Sequence, residues 1–233
     1  MKRVLGELET RFFAYAQMRR LQIVGFAELV KPLGISPRQE AKLLSQLSLA
    51  GVIARVRRGL YLIPPRLPMG GKWTPGEALA LDTLMQDAGA SYQITGPNAF
   101  NRYGFDEQIP TRLYVYNTKL SGDRTIGTVA MTLIKVAGER LGSVEELKAP
   151  DGLSLRYSSR TRALVDAVYD WSRFAGLPRG YDWIRTELAK RRVEPRALIR
   201  DAIRYGNQWR FAASCWFSRS YVLVGHRPFG SRL

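Results

Sequence analysis

The stretch SPRQEAKLLSQLSLAGVIARVRRGLYLIPP, residues 36–65, contains the pattern that decides the fold of the N-terminal part of the chain. Ser36 followed by Pro37 indicates a helix start, because a serine oxygen can accept a first-turn N–H and proline is tolerated at the first helical position. We expect this helix to continue to Gly51. Apolar and basic side chains then alternate around Gly59, which is typical of a two-stranded hairpin. The sequence therefore predicts a capped helix followed directly by a hairpin.

The predicted helix has two distinct faces. Ala41, Leu44 and Leu47 recur at helical spacing, so we expect them to face the core. Another face has no apolar residue and is rich in side chains that hydrogen-bond base edges and phosphates. The residues of this second face are Arg38, Gln39, Lys42, Ser45 and Gln46.

The predicted hairpin is also two-sided. Gly59 can supply the positive φ of the turn, and either a two-residue turn or a bulged three-residue turn fits the spacing. One side is expected to anchor the ribbon and the other to face solvent. The anchoring residues are Ala54, Val56, Tyr61 and Ile63. The basic residues presented to solvent are Arg55, Arg57 and Arg58.

Two shorter helical patterns precede the capped helix. Residues 7–20 have an apolar face, and residues 26–32 form about two turns that we expect Pro32 to end. In this second helix Phe26, Leu29 and Val30 are expected to face inward. Three helices followed by a basic hairpin are the order of a winged helix-turn-helix, in which the third helix enters the major groove and the hairpin contacts the backbone. Residues 1–66 are therefore expected to bind DNA, with a protein-binding winged helix as the alternative.

The charge of the chain also points to a polyanionic partner. The chain has 36 basic and 20 acidic side chains, a net charge of +16. Residues 1–66 hold 12 basic and 4 acidic side chains, residues 67–155 hold 8 and 10, and residues 156–233 hold 16 and 6. Basic residues that neutralise phosphates release condensed counterions, so strongly basic segments favour nucleic-acid binding. The excess of Arg over Lys fits a GC-rich genome, but that bias does not explain the unequal segments.

The remainder of the chain predicts a second domain of mixed α+β structure. Residues 67–76 are rich in Pro and Gly and are expected to be a linker to a domain spanning 77–233. Thr74, Pro75 and Glu77 form a capping-box pattern, which predicts a helix through about residue 86. Strands are expected at 92–94, 112–116, 129–136 and 153–157, with a short helix at 97–103 and basic helices from Ser159 onward.

Three blocks of sequence together resemble the AbiEi-type antitoxins, the antitoxin half of type IV toxin-antitoxin systems. They read RVRRGLYLIPP, ITGPNAFNRYGFDEQIPTRLYVYN and YSSRTRALVDAVYD, and the resemblance covers roughly residues 10–175. The residues that match in the second block are Ile94, Thr95, Gly96, Ala99, Gly104, Pro110, Leu113 and Val115. Those in the third are Ser159, Arg162, Leu164, Val165 and Asp166, while Thr161 and Ala163 depart from the family pattern.

The resemblance implies a function more specific than the residues alone support. It implies an N-terminal domain that binds double-stranded DNA at inverted repeats in its own promoter and represses its own operon. It also implies a C-terminal domain that counters a cognate nucleotidyltransferase-like toxin. DNA binding is the part that the helix pattern and the charge support independently.

The catalytic possibilities in the sequence are few, and we expect no enzyme activity, no cofactor and no metal. A hydrolase triad needs a histidine, and the chain has one histidine, His226, near its end. A zinc site needs several histidine or cysteine ligands, and the chain has one cysteine, Cys215. Asp166 and Asp170 lie one helical turn apart, so a metal-dependent nuclease is an alternative. Because Arg162 precedes Asp166 by four residues, we expect instead an ion pair on a helix surface. A protein-binding adaptor is a further alternative.

No sequence feature indicates a membrane protein. No apolar run approaches the roughly 20 residues that a membrane helix requires, and Glu7 and Glu9 interrupt the N-terminus before a signal peptide could form. We therefore expect a cytoplasmic protein. Trp209, Trp216 and Phe217 are expected to belong to a core, although aromatic side chains can also stack on bases.

Overall fold

The computed structural model describes residues 6–67 and 72–206 of the 233-residue chain. Within these ranges, no helix combines the length and apolarity that crossing a membrane requires. Several features singled out in the sequence lie outside the described residues. They are part of the 67–76 connection, Trp209, Cys215, Trp216, Phe217 and His226.

The N-terminal part forms three helices and a three-stranded antiparallel sheet in the strand order β1-β3-β2. Val24 of the first strand pairs with Tyr61 of the third, and Ala54 of the second strand pairs with Leu62. The order of helices and strands is that of a winged helix, as the sequence predicts. The elements are α1 Glu7–Arg19, β1 Ile23–Val24, α2 Val30–Leu33, α3 Pro37–Leu49, β2 Ala54–Arg57 and β3 Leu60–Leu62.

One apolar core holds these elements together. Phe12 of α1, Leu29 before α2, Leu47 of α3 and Ile53 before β2 are each at most 2% exposed and belong to the same cluster. Burying each such side chain contributes about 1.5–3 kcal/mol relative to leaving it in water. The core therefore fixes the orientation of α3 with respect to the hairpin of β2 and β3, residues 54–62, which we call the wing.

The second helix begins later than the sequence predicts. Residues 26–29 form turns, and α2 covers only Val30–Leu33. Pro32 lies inside this helix instead of ending it. The first N–H groups of a helix have no helical acceptor, so a proline in the first turn removes no hydrogen bond. The expectation of about two turns ended by Pro32 is therefore wrong.

The remainder of the described chain contains a six-stranded sheet in the order β6-β7-β5-β4-β9-β8 together with further helices, so the α+β fold class is confirmed. The four strands and the short helix expected from the sequence are present within one or two residues of their predicted bounds. The strands are β4 Tyr92–Ile94, β5 Leu113–Asn117, β6 Gly122–Ile126, β7 Val129–Lys135, β8 Val144–Lys148 and β9 Ser154–Ser158. The helices are α4 Glu77–Asp87, α5 Pro97–Arg102, α6 Arg160–Tyr169, α7 Trp171–Phe174, α8 Arg179–Ala189 and α9 Pro195–Tyr205.

The predicted capping box before α4 is not formed. The residue that caps α4 is Gly76, which has no side chain to accept a hydrogen bond, and the helix begins at Glu77. The hydroxyl of Thr74 instead lies 3.0 Å from the hydroxyl of Thr128. The capping assignment is therefore wrong, because Thr74 is hydrogen-bonded to a residue that is distant in sequence.

The described chain consists of two compact units that are not continuous in sequence. The first contains the described residues up to Ala90 together with Lys119–Leu133 and Lys148–Leu155. The second contains Ser91–Thr118, Ile134–Leu147 and the described residues from Arg156 onward. The winged helix and α4 thus belong to the same unit.

Candidate nucleic-acid interface

The start of α3 is fixed by a capping box, as the sequence predicts. The Ser36 hydroxyl accepts the Gln39 N–H at 3.3 Å, and the Gln39 side-chain oxygen accepts the Ser36 N–H at 2.8 Å. Pro37 occupies the first helical position. These bonds satisfy two backbone donors that would otherwise lack partners. Because the side-chain oxygen of Gln39 is engaged in the cap, the side-chain amino group of Gln39 is the part that remains to hydrogen-bond a base.

The buried face of α3 differs from the predicted face at one position. Leu44 and Leu47 are buried as expected, and Leu43 is buried beside them. Ala41 is exposed, so its assignment to the core is wrong. The helix is packed on one side only, and Ala41 lies at the edge of that side. All five residues predicted for the polar face are exposed: Arg38, Gln39, Lys42, Ser45 and Gln46.

A buried carboxylate joins α3 to the turn that precedes α2. Glu40 is 1% exposed, and its two oxygens accept the N–H groups of Ala27 at 2.8 Å and Leu29 at 2.7 Å. Ala27 has a φ of 63°, an uncommon value for a residue with a side chain. Hydrogen bonds to a charged acceptor are stronger than neutral ones, so Glu40 holds this turn against α3.

The wing has the two-residue turn, Arg58 and Gly59, which is one of the two alternatives that the sequence left open, and it has a bulge within β2. Arg55 pairs with Tyr61 and Arg57 pairs with Leu60, so Val56 is the extra residue of a bulge. Gly59 has a φ of 80° at the turn. Ala54, Tyr61 and Ile63 are buried as expected, whereas Val56 is only half-buried. The basic residues Arg55, Arg57 and Arg58 are all exposed.

The three wing arginines differ in their partners. Arg57 donates two hydrogen bonds of 2.6 Å from Nε and Nη2 to the carboxylate of Asp87, at the end of α4. This hydrogen bond and the opposite charge lower the pKa of Asp87, and the same bond with Asp87 raises the pKa of Arg57. Among the residues that the structure describes, neither Arg55 nor Arg58 has a side-chain ion pair. Two of the three predicted phosphate contacts are therefore uncommitted, and Arg57 is paired.

The predicted interface residues are divided between two grooves that flank α3. Ser45, Arg55 and Arg58 line a groove of about 320 Å³ between α3 and the wing. Gln39, Lys42 and Gln46 line a cleft of about 590 Å³ on the side of α1. Arg38 is exposed but lines neither groove.

The electrostatic character of the two grooves differs. The groove on the wing side has two arginines, and its carboxylate, Glu40, is buried and already bonded to two backbone N–H groups. The cleft on the α1 side is lined also by Glu7 and Glu9 of the first turn of α1. Because these carboxylates repel phosphate, the wing side is the better fit for the backbone of DNA.

Two residues of this region occupy positions that the sequence patterns do not predict. Phe26 was expected in the core, yet it is 72% exposed and lines the groove beside the wing. The partnership of Asp87 has no local sequence signal, because Arg57 lies 30 positions earlier in the chain. A sequence signal existed only for Phe26: it directly follows Gly25 and lies at the edge of a short apolar pattern.

Asp166 and Asp170, the carboxylates of the alternative nuclease hypothesis, lie in the second unit and are hydrogen-bonded within it. Arg162 Nε donates to Asp166 Oδ1 at 2.8 Å, and both side chains are 0% exposed. The expectation of an ion pair on a helix surface is therefore wrong: the pair is present, but it is fully buried. Asp166 Oδ2 accepts from Thr95 at 2.6 Å and from Ser158 at 3.1 Å. Both oxygens of Asp166 are thus already hydrogen-bonded.

Asp170 is likewise bound to a neighbour. It accepts a hydrogen bond from the Tyr116 hydroxyl. Burial raises the pKa of Tyr116 well above its usual value, and the nearby charges of Asp166 and Asp170 raise it further. Within the described residues, no group of three or more His, Cys, Asp or Glu side chains could hold a metal ion.

Comparison with known proteins gives a family match over the winged helix. Residues 14–64 match the family described as "Transcriptional regulator, AbiEi antitoxin". No curated protein matches the chain. The crystal structure of RV2827C protein from Mycobacterium tuberculosis is similar, with a TM-score of 0.54 and 17% sequence identity. The match covers 96% of this chain and 78% of that chain, and at this identity it shows the fold alone.

The matched segment contains most of the winged helix. It starts within α1, includes α2, α3 and both strands of the wing, and ends just after β3. Seven of the eight predicted interface residues lie on α3 or within β2, and the eighth, Arg58, directly follows β2. The resemblance found in the sequence is thus confirmed for this segment, where residues 14–64 match the AbiEi antitoxin family of transcriptional regulators.

Proposed function

We propose that the protein is a DNA-binding transcriptional autorepressor and the antitoxin of a type IV toxin-antitoxin system. The observation that carries this proposal is the position of the uncommitted cations. Arg55 and Arg58 lie beside α3, within the segment that matches a family of transcriptional regulators. Such a protein acts where its DNA is, so the proposed location is the cytoplasm.

In this proposal α3 lies in the major groove of DNA. Arg38, Lys42 and Ser45 occupy the middle of its exposed face and meet base edges, with Gln39 and Gln46 at the border of that face. Arg55 and Arg58 contact the backbone beside it. Phosphate contacts set the position of the protein, and base contacts select the sequence. Variants of the two groups are therefore expected to behave differently.

Arg57 has a different part in the proposed complex. Its guanidinium is neutralised by Asp87 in the free protein. A phosphate can recruit Arg57 only by replacing a carboxylate that already makes two short hydrogen bonds. Arg57 is therefore expected to contribute less to DNA affinity than Arg55 or Arg58.

Inverted repeats in the promoter are the proposed operator. Two copies of the chain related by a twofold axis would each place one α3 in a half-site, with the half-site centres about 10 base pairs or a multiple of that apart. Binding there would block transcription of the chain's own operon. A reporter fused to this promoter is expected to be silenced by the wild-type chain and not by a variant that fails to bind.

The proposed toxin partner is a nucleotidyltransferase-like protein encoded beside the chain. Co-expression in a host that this neighbour arrests tests the antitoxin role directly. Growth restored by the chain supports the role, and continued arrest despite confirmed expression of both proteins contradicts it.

We further propose that the chain is not an enzyme. The hydrogen bonds that occupy Asp166 and Asp170 leave those carboxylates unsuited to a nuclease centre. Incubation of the purified protein with labelled DNA or RNA and Mg²⁺ or Mn²⁺ is expected to yield no product. Because Asp166→Ala would disrupt a buried ion pair, loss of activity in that variant would not by itself identify a catalytic residue.

Fluorescence anisotropy of labelled promoter DNA over a range of KCl concentrations tests the DNA-binding proposal. Arg58→Ala is expected to weaken binding to promoter and shuffled DNA alike, and to reduce the slope of log affinity against log salt by about one. Arg38→Ala is expected to lower the ratio of the affinity for promoter DNA to the affinity for shuffled DNA. Arg19→Ala, an exposed arginine at the end of α1, is the matched control and should bind as the wild type does.

The same measurement can contradict the proposal. If the wild-type chain does not bind promoter DNA even at low salt, DNA binding is wrong. Retained binding of a protein partner in that case would favour the adaptor alternative.

A further inference from the structure

Phe26 is an apolar side chain exposed within a basic groove. It lies in the connection between β1 and α2, is 72% exposed, and lines the groove of about 320 Å³ together with Ser45, Arg55 and Arg58. A fully exposed phenylalanine loses the stabilisation that burial would provide. Isolated exposed apolar residues are common, so its exposure alone does not indicate a function.

The backbone around Phe26 holds the ring out of the core. The carboxylate of Glu28 accepts the Gly25 N–H at 2.9 Å, just before Phe26. The carboxylate of Glu40 accepts the N–H of Ala27, just after it. Ala27 has a positive φ, a backbone conformation that needs support from its surroundings. The connection is therefore fixed on both sides of Phe26, and the exposed position of the ring follows from that fixed backbone.

The ring lies beside the tip of the wing. A Cβ added to Gly59 would be 3.5 Å from the Cβ of Phe26, which is ordinary van der Waals contact. Arg58 adjoins Gly59 in sequence, and on the other side of the groove Ala41 and Ser45 present small side chains from α3. Phe26 thus lies between the two elements proposed to contact the bases and the backbone.

The charges around the ring indicate what the groove accepts. Arg55 and Arg58 favour a polyanion, and the small residues of α3 leave room beside the ring. DNA presents two apolar groups next to its phosphates, the C5-methyl of thymine in the major groove and the deoxyribose of the backbone. An apolar side chain beside cations matches that combination.

We propose that Phe26 is an apolar contact to DNA, packing on a thymine methyl or a deoxyribose of a nucleotide held between α3 and the wing. This inference rests on the proposed DNA binding and adds to it a residue that recognises the apolar part of the nucleotide. Because the contact is uncharged, it changes affinity without changing the number of phosphates neutralised.

Anisotropy titrations of labelled promoter DNA with the full chain test this role. Phe26→Ala is expected to weaken binding about tenfold, since most of a large apolar surface would no longer be buried. Its salt slope should equal that of the wild type, in contrast to Arg58→Ala. Met18→Ala, which removes an apolar side chain that is 70% exposed on α1, is the matched control and should bind as the wild type does.

Replacing single thymines of the promoter by uracil distinguishes the two apolar groups. If Phe26 packs on a thymine methyl, one replacement weakens the wild type about fourfold and leaves Phe26→Ala unchanged. If no replacement has this effect while Phe26→Ala remains weak, the contact is to deoxyribose.

Two results would overturn the inference alone. One is a dissociation constant of Phe26→Ala for promoter DNA that lies within about twofold of the wild-type value, while the wild type binds. The other is a change in sedimentation of Phe26→Ala without a change in DNA affinity, which would assign the ring to contact between copies of the chain. Failure of the wild-type chain to bind DNA would overturn the proposed function as well.

Discussion

At the scale of single residues, the three arginines of the wing have the same chemistry but different surroundings. Arg57 makes a two-pronged ion pair with Asp87, while Arg55 and Arg58 face the groove beside α3. Because an arginine that already neutralises a carboxylate releases fewer counterions from DNA, the net basic charge of a hairpin overstates its contribution to affinity. Asp87 therefore determines how much of the charge of the wing is available.

Asp87→Asn is predicted to increase DNA affinity. The amide removes the negative charge that holds Arg57, so Arg57 becomes available to a phosphate, and the salt slope is expected to steepen by up to about 0.9. Anisotropy titrations over a range of KCl concentrations measure both quantities. Asp82→Asn, on the same helix, is the control and should leave the slope unchanged. An identical slope for Asp87→Asn and the wild type would show that Arg57 does not reach DNA.

The Arg57–Asp87 pair also has a defined pH dependence. The folded protein lowers the pKa of Asp87, chiefly through its hydrogen bond from Arg57. The stability from this pair is therefore present above the ordinary aspartate pKa of about 3.9 and is lost as the pH falls through the lowered value. Any difference in unfolding free energy between the wild type and Asp87→Asn should shrink below about pH 4.

At the scale of elements, local sequence patterns located most helices and strands but missed those without an apolar signal. The cap of α3 was predicted because Ser36, Pro37 and Gln39 are adjacent in sequence. Strands β6 and β8 were missed because their side chains are mostly exposed, so apolar and polar residues do not alternate along them. The short β1 was missed because it has only two residues.

The turn before α5 requires a glycine at position 96, and the structure shows why. Gly96 precedes α5 with a φ of 59°, and a Cβ there would lie 2.7 Å from a ring carbon of Phe174. Both the backbone conformation and the close ring require a residue without a side chain. This glycine belongs to the second of the blocks that resemble AbiEi antitoxins, so in that block it serves the packing of the second unit.

Gly96→Ala is predicted to lower the free energy of unfolding by about 2–4 kcal/mol, from the strain of a positive φ and the overlap with Phe174. Gly104→Ala is the matched control. Gly104 has a φ of 72° with no atom within 4 Å of an added Cβ, so only the backbone strain of about 1–2 kcal/mol applies. Urea unfolding followed by circular dichroism measures both. Equal losses in the two variants would contradict the predicted overlap.

At the scale of the whole molecule, the basic side chains of the chain are put to different uses. In the first unit Arg55 and Arg58 are exposed beside the groove. In the second unit several arginines pair with acids of the same unit, including Arg160 with Glu187 at 2.7 Å and the buried Arg162 with Asp166. The large positive charge of residues 156–233 is therefore partly structural and is not a measure of DNA contact.

Arg162→Met is predicted to destabilise the protein by about 3–5 kcal/mol, because it leaves the carboxylate of Asp166 buried without its partner. Arg185→Met is the control. Arg185 pairs with Asp182, but both side chains are more than 60% exposed, so its loss is expected to cost about 1 kcal/mol or less. Urea unfolding measures the difference, and a similar small loss in both variants would show that the buried pair contributes little.

The sequence by itself determined the order of three helices and a basic wing, the cap of α3, the exposed polar face of that helix and the resemblance to AbiEi antitoxins. The helices, the wing and the cap follow from periodicity, capping and composition, which depend on residues close together in the chain, and the resemblance rests on three matching blocks of sequence. Only the tertiary structure decided that Asp87 engages Arg57, that Phe26 faces the groove and that Arg162 and Asp166 are buried. Those outcomes depend on which surfaces packing brings within a few ångströms of each other, and local patterns do not contain that information.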